Sequence, residues 1–154
     1  MRLITFILVV FLGVNSCYAQ NKELLAVVEY ELIGKWEGKL TQGGDSKLSP
    51  TYFFELELAL KGNKIEGHSF IQTGANIAKI SLMGRLNGLT IEIEEIEFVD
   101  KKIKKAYFWC IKNLHLEFGF DHGRYRLKGT WEGKSGLGDC SPGTLEVFKP
   151  TIRA

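Results

Sequence analysis

The chain has 154 residues, of which 45% are hydrophobic and 25% charged, and its formal net charge is +2. This length predicts a single domain, and the composition excludes bulk disorder and collagen-like repeats. A charge so near zero argues against a dedicated nucleic-acid-binding protein, which would carry a basic patch or a higher pI.

Residues 1–19 have the pattern of a secretory signal peptide. One positive charge precedes an apolar run over residues 3–14. That run is shorter than the ~20 residues that a membrane-spanning helix needs. Small residues at Cys17 and Ala19 form an A-x-A-like cleavage site. We therefore predict cleavage after Ala19, which leaves residues 20–154 as a single β-barrel domain.

The same segment also resembles a bacterial lipobox. Val14-Asn15-Ser16-Cys17 places a cysteine where lipidation would begin the mature chain. Lipidation at Cys17 is therefore the alternative to simple cleavage. Either route exports the protein to the periplasm, the outer membrane or the exterior. No later stretch approaches the ~18 apolar residues of a transmembrane helix, so we predict none in the mature chain.

Residues 21–33 precede the first predicted strand, and their pattern leaves two structures open. Leu24, Leu25, Val28 and Leu32 lie near helical spacing. This spacing predicts a short helix that plugs one end of the domain, and an extended segment is the alternative.

From Ile33 onward, apolar and polar residues alternate with the period of two that is typical of β-strands. Asn87-Gly88 favours a two-residue hairpin, because both positions tolerate positive φ. The alternation slips by one residue at Glu94-Glu95 and resumes as Ile96 and Phe98. We interpret this slip as a β-bulge.

This pattern predicts an all-β domain of about eight antiparallel strands. Such a meander can close into an up-and-down β-barrel, which removes exposed strand edges, and a β-sandwich is the alternative. Glycines on the inward rows permit tight bends and close approach of strands, and we also expect them to leave room for a ligand. These glycines are Gly38, Gly67, Gly84 and Gly129.

Two pairs of residues are predicted to stabilise the barrel. Trp36 and Trp131 share a W-E-G-K run on an early and a late strand, and we expect them to close the core. Cys110 and Cys140 remain as an even pair in an exported chain, which predicts a disulfide. Closing its ~30-residue loop is worth roughly 3–4 kcal/mol. No cysteine or histidine spacing indicates a metal site.

The remaining candidates for chemistry are a dense acidic stretch and three histidines. Glutamates alternate with apolar residues there, so they should face water, and a small carboxylate-dependent hydrolase is the weaker alternative. The histidines should also be on the surface. We found no catalytic motif and predict no cofactor or metal. The acidic residues are Glu92, Glu94, Glu95 and Glu97, and the histidines are His68, His115 and His122.

Gly34-Lys35-Trp36 opens the first strand with the sequence G-x-W, which resembles the signature of the lipocalins, eight-stranded calycin barrels. The resemblance implies binding of a small apolar ligand inside the barrel. It also implies a late arginine packed on the tryptophan, for which Arg126 and Arg153 are the candidates. The sequence thus favours an exported, non-catalytic, lipocalin-like binding module. The alternative is a cell-envelope structural or protein-interaction domain with a filled core.

Overall fold

The computed structural model describes residues 22–43, 49–73, 76–99 and 109–151. Cys17 and the rest of the predicted signal peptide lie outside these residues. Within the described ranges, no helix is both long enough and apolar enough to cross a membrane.

The described residues form one helix and nine strands. The helix, α1, covers residues 22–32. The strands are β1 (Gly34–Thr41), β2 (Thr51–Lys61), β3 (Lys64–Thr73), β4 (Asn76–Asn87), β5 (Thr90–Phe98), β6 (Ile111–Asp121), β7 (Arg124–Ser135), β8 (Gly138–Asp139) and β9 (Gly143–Phe148).

Eight of these strands close into an antiparallel barrel. The order around it is β6-β5-β4-β3-β2-β1-β9-β7, and β7 pairs back with β6. The two-residue strand β8 pairs only with the end of β7. The predicted eight-stranded barrel is therefore confirmed, and the sandwich alternative is wrong. The inward rows of apolar side chains form the core.

The connections divide the barrel into two ends. Antiparallel strands alternate in direction, so the β2–β3, β4–β5 and β6–β7 hairpins lie at the end where α1 enters β1, the helix end. The remaining connections lie at the opposite, loop end. In the β6–β7 hairpin, His122 and Gly123 have φ of 47° and 77°. Two positive φ values are those of a type I′ turn, whose twist suits a tight hairpin.

Helix α1 packs against the helix end of the barrel, which confirms the helical alternative for this segment. Val28 and Leu32 are fully buried and belong to the core. Trp36 Nε1 donates to the Leu32 carbonyl at 2.9 Å. The last carbonyls of a helix lack partners within it, so this bond satisfies one of them and ties the helix to β1.

Lys149 supplies the cation that packs on the β1 tryptophan. Its Nζ lies 5.0 Å from the Trp36 ring centre and donates to the carbonyls of Glu31 and Ile33. Burial lowers the pKa of Lys149 below the ordinary lysine value, against the opposing effect of the Glu31 charge. Arg126, one of the two arginines expected in this place, pairs instead with Asp121 at 3.0 Å.

Arg153, the other candidate for that place, lies outside the described residues.

The inward glycines allow strands to approach closely, as predicted, but they do not leave room for a ligand. A Cβ atom added at any of the four would lie 1.9–2.3 Å from a carbonyl oxygen of the neighbouring strand. At Gly129, for example, that oxygen belongs to His115. The main chain itself therefore fills the space that the missing side chains leave. The four are Gly38, Gly67, Gly84 and Gly129.

The predicted disulfide between Cys110 and Cys140 is confirmed, with Sγ atoms 2.02 Å apart. It joins the residue before β6 to the connection between β8 and β9, at the loop end. Disulfides are typical of proteins that fold in an oxidising compartment.

Replacing both Cys110 and Cys140 by serine is expected to lower the free energy of unfolding by about 3 kcal/mol, because the unfolded chain regains the freedom of a loop of about 30 residues. Urea denaturation of the variant, and of the wild type with a reductant, measures the change. Agreement between the two would assign the loss to the bond. A change under about 0.5 kcal/mol, within the range of ordinary surface substitutions, would contradict the prediction.

Candidate functional site

A bulge in β5 determines which acidic side chain enters the barrel. Leu82 of β4 pairs with Glu95, whereas Ser81 pairs with Glu97, so Ile96 is the extra residue. The predicted bulge is confirmed, one residue later than expected. Glu95 consequently stays in phase with the inward isoleucines of β5 and is only 1% exposed, whereas Ile96 is 42% exposed. The expectation that Glu95 faces water is therefore wrong.

Inside the barrel, the Glu95 carboxylate is held by three donors. Its Oε1 accepts a hydrogen bond from Ser69 Oγ at 2.5 Å. Its Oε2 accepts from the main-chain N of Lys112 at 2.9 Å and from Lys112 Nζ at 3.0 Å. Ser69, Glu95 and Lys112 are the buried polar residues of the described chain, and we refer to them as the buried polar cluster.

The cluster lies where the main-chain ladder between β5 and β6 ends. Residues of β5 and β6 pair from Thr90↔Glu117 to Glu94↔Asn113. The next residue along β5 is Glu95, whose side chain, rather than its main chain, accepts from the Lys112 main-chain N. Beyond the last main-chain pair, toward the loop end, the Glu95 carboxylate thus connects β5 to β6 in place of a main-chain hydrogen bond.

Two aromatic rings lie near the ammonium group of this cluster. Lys112 Nζ lies 5.8 Å from the Phe54 ring centre and 6.0 Å from that of Trp131, distances at which cation–π attraction operates. The same Nζ donates to the Cys110 carbonyl at 2.9 Å. The arrangement therefore combines apolar and aromatic walls with a few convergent polar groups, the usual composition of a small-molecule site.

The energetics of this cluster set it apart from ordinary core packing. Removing two opposite charges from water costs several kcal/mol per ion, which their attraction offsets only with good geometry and further hydrogen bonds. Apolar side chains of similar volume would often stabilise a core as well or better. The cluster is therefore the feature of the interior that packing alone explains least.

Trp36 and Trp131 are both buried, at 0% and 2% exposure. Trp36 lies toward the helix end and meets Phe118 edge to face, with ring centres 6.2 Å apart. Trp131 lies toward the loop end, where its Nε1 donates to the Thr41 carbonyl at 2.7 Å. The two side chains thus occupy different parts of the core, and β9 separates their strands.

The other residues of the acidic stretch lie on the outer surface. Glu92, Glu94 and Glu97 are exposed, so the barrel wall separates them from Glu95. Glu92 and Glu94 line an open outer groove of about 690 Å³ across β3 to β6, to which His115 also contributes.

The three histidines do not lie together in one site either. His115 is exposed, His68 is half-buried on β3, and His122 pairs with Asp121 in its turn at 2.8 Å. No group of three histidine, cysteine or acidic side chains in the described part of the chain is placed to hold a metal ion.

Sequence reasoning missed Lys112 altogether, although the sequence contains a usable signal. Lys112 stands two residues before Leu114 and is therefore in phase with the inward row of β6. Glu95 is likewise in phase with Ile93. A lysine and a glutamate on the inward rows of neighbouring strands indicate a buried ion pair.

The chain matches no family model, no curated protein and no solved structure.

Proposed function

We propose that the protein is an exported, non-catalytic, lipocalin-like module that holds a small, largely apolar ligand inside its barrel, with access from the loop end. The observation that carries this proposal is the buried polar cluster on an otherwise apolar inner wall. Binding sites for small molecules are mostly apolar, with a few placed polar groups that fix the orientation of the ligand. The interior of an eight-stranded barrel is just wide enough to be filled by side chains or to hold one small ligand, and we propose the second arrangement beside the cluster.

The helix end supports the lipocalin-like part of the proposal. A G-x-W sequence opens β1, and a late cation, Lys149, packs on Trp36 and binds carbonyls at the end of α1. These contacts close the helix end. The ligand would therefore enter at the loop end, near the disulfide and the cluster.

The signal-peptide pattern over residues 1–19 and the Cys110–Cys140 disulfide support export. In this proposal the mature chain begins at Gln20, or at a lipidated Cys17. The periplasm, the outer membrane and the exterior all provide the oxidising conditions that the disulfide needs.

The outer groove supports a second candidate function, which is docking of an envelope protein on the barrel exterior. Met83 is 54% exposed in this groove, between charged residues that include Glu66, Arg85 and Glu92. An exposed apolar side chain with a charged rim is a feature of protein-interaction surfaces.

Native mass spectrometry of the protein, expressed with its own leader and purified from the envelope fraction, tests both candidates. We expect a mature mass two hydrogens below that of the reduced chain, with a small-molecule adduct that denaturation releases. The Met83→Lys variant, changed in the outer groove, should retain the adduct. Its loss in this variant would place the ligand outside the barrel. An apo mass, with no change in tryptophan fluorescence on adding apolar ligands, would favour the envelope-protein alternative.

A further inference from the structure

We propose that the ligand is electrically neutral and that its polar end carries both a hydrogen-bond donor and an acceptor, as an alcohol or an amide does. This inference rests on the proposed interior site and specifies the ligand class that the site selects.

The charges in the described part of the interior are balanced. The cluster contains one carboxylate, on Glu95, and one ammonium, on Lys112, with 3.0 Å between their interacting atoms. No other charged residue is buried among the described residues. A ligand with a charged end would therefore add an uncompensated charge to a low-dielectric interior, which is strongly unfavourable.

The cluster also has hydrogen-bonding positions that its described neighbours do not use. An ammonium has three N–H groups, and Lys112 Nζ has two acceptors among the described residues, Glu95 Oε2 and the Cys110 carbonyl. A carboxylate has about four lone-pair sites, and Glu95 has three donors among the same residues. Within the described ranges, one N–H of Lys112 and one lone-pair position of Glu95 are therefore left over, on groups whose nearest atoms are 3.0 Å apart.

A hydroxyl or amide group satisfies both of these positions at once. A carboxylate offers only acceptors, so it would leave the Glu95 position without a donor. An ammonium offers only donors, so it would leave the Lys112 position without an acceptor. The faces of Phe54 and Trp131 beside the ammonium provide apolar contact for the adjoining carbon chain.

Three ligands with the same carbon chain test this selection: 1-dodecanol below its solubility limit, and dodecanoate and dodecylamine below their micelle-forming concentrations. Dissociation constants come from tryptophan fluorescence of the mature, disulfide-bonded protein. We expect dodecanol to bind at least about 10-fold more tightly than either charged ligand, a difference of about 1.4 kcal/mol.

Two single variants should change the preference in opposite directions. Glu95→Gln leaves a net positive charge, so dodecanoate should become the preferred ligand. Lys112→Met leaves a net negative charge, so dodecylamine should become preferred. The double variant Glu95→Gln/Lys112→Met restores neutrality and should again prefer dodecanol. It serves as the control where a single variant folds poorly.

The possible results distinguish failure of the neutral-ligand inference from failure of the proposed function. If wild-type protein binds dodecanoate or dodecylamine as tightly as dodecanol, the neutral-ligand inference is wrong and the interior-binding proposal stands. If none of the three ligands binds, the proposed function fails, and the inference fails with it.

Discussion

Replacing Lys112 by methionine is expected to lower the free energy of unfolding by about 3–5 kcal/mol, because it leaves the Glu95 carboxylate buried without its cation. Methionine is similar in length and apolar, so the change removes the charge and leaves little cavity. Glu95 would keep Ser69 Oγ and the main-chain N of Lys112 as donors. Two hydrogen bonds do not replace the ammonium beside a carboxylate whose residue is only 1% exposed.

A double-mutant cycle separates the effect of leaving Glu95 without its cation from the effect of changed packing at Lys112. We expect Glu95→Gln/Lys112→Met to recover much of the stability that Lys112→Met loses, because no unpaired charge remains. Urea denaturation of the four proteins gives the coupling energy. Losses that simply add in the double variant would show that the two side chains act independently, contrary to the geometry.

Gly129→Ala is expected to lower the free energy of unfolding by about 4 kcal/mol or more, or to prevent barrel closure. Overpacking a core usually costs about 1–3 kcal/mol, because side chains can move aside. Here the new Cβ would lie 1.9 Å from the His115 carbonyl oxygen and 2.9 Å from Leu116 Cα. Both belong to the main chain of β6, which cannot move without breaking its ladder with β7.

Gly119→Ala is the matched control, since it lies on β6 within the same hairpin. The nearest heavy atom to its new Cβ is the Arg126 guanidinium Nη2, at 3.8 Å, which is ordinary contact. The free energy of unfolding of this variant should be within about 1 kcal/mol of the wild-type value, because strands usually prefer alanine to glycine. Equal urea midpoints for the two alanine variants would refute the close-approach explanation.

The barrel could be predicted from the sequence because its determinants are local and repeated. The alternation of apolar and polar residues predicts the strands. Short turns such as Gly62-Asn63 predict that successive strands pair with each other. One hairpin was displaced by a residue: its loop is Gly88-Leu89, since Asn87 pairs with Thr90. Such shifts arise because alternation fixes which face a residue occupies but leaves the exact turn to local geometry.

The site could not be predicted in the same way, since it depends on register between strands. A charged residue is a poor candidate for burial unless its partner is known. Glu95 and Lys112 meet because the β5–β6 ladder brings them side by side, and Ser69 arrives from β3, two strands away. The displaced bulge also mattered, because moving it by one residue exchanges Glu95 with Ile96 on the inner face.

The position of β9 also has a consequence for the order of folding. This strand lies between β1 and β7, and the Thr41 and Thr144 hydroxyls, 2.8 Å apart, join residues 103 positions apart in the chain. Contacts at such separation give a high contact order, for which folding in milliseconds to seconds is typical. A nascent chain cannot close its barrel until its last strand has been synthesised, so β1 and β7 wait with unpaired edges. In the export route proposed above, this delay would help to keep the chain unfolded, the state in which a narrow channel can pass it.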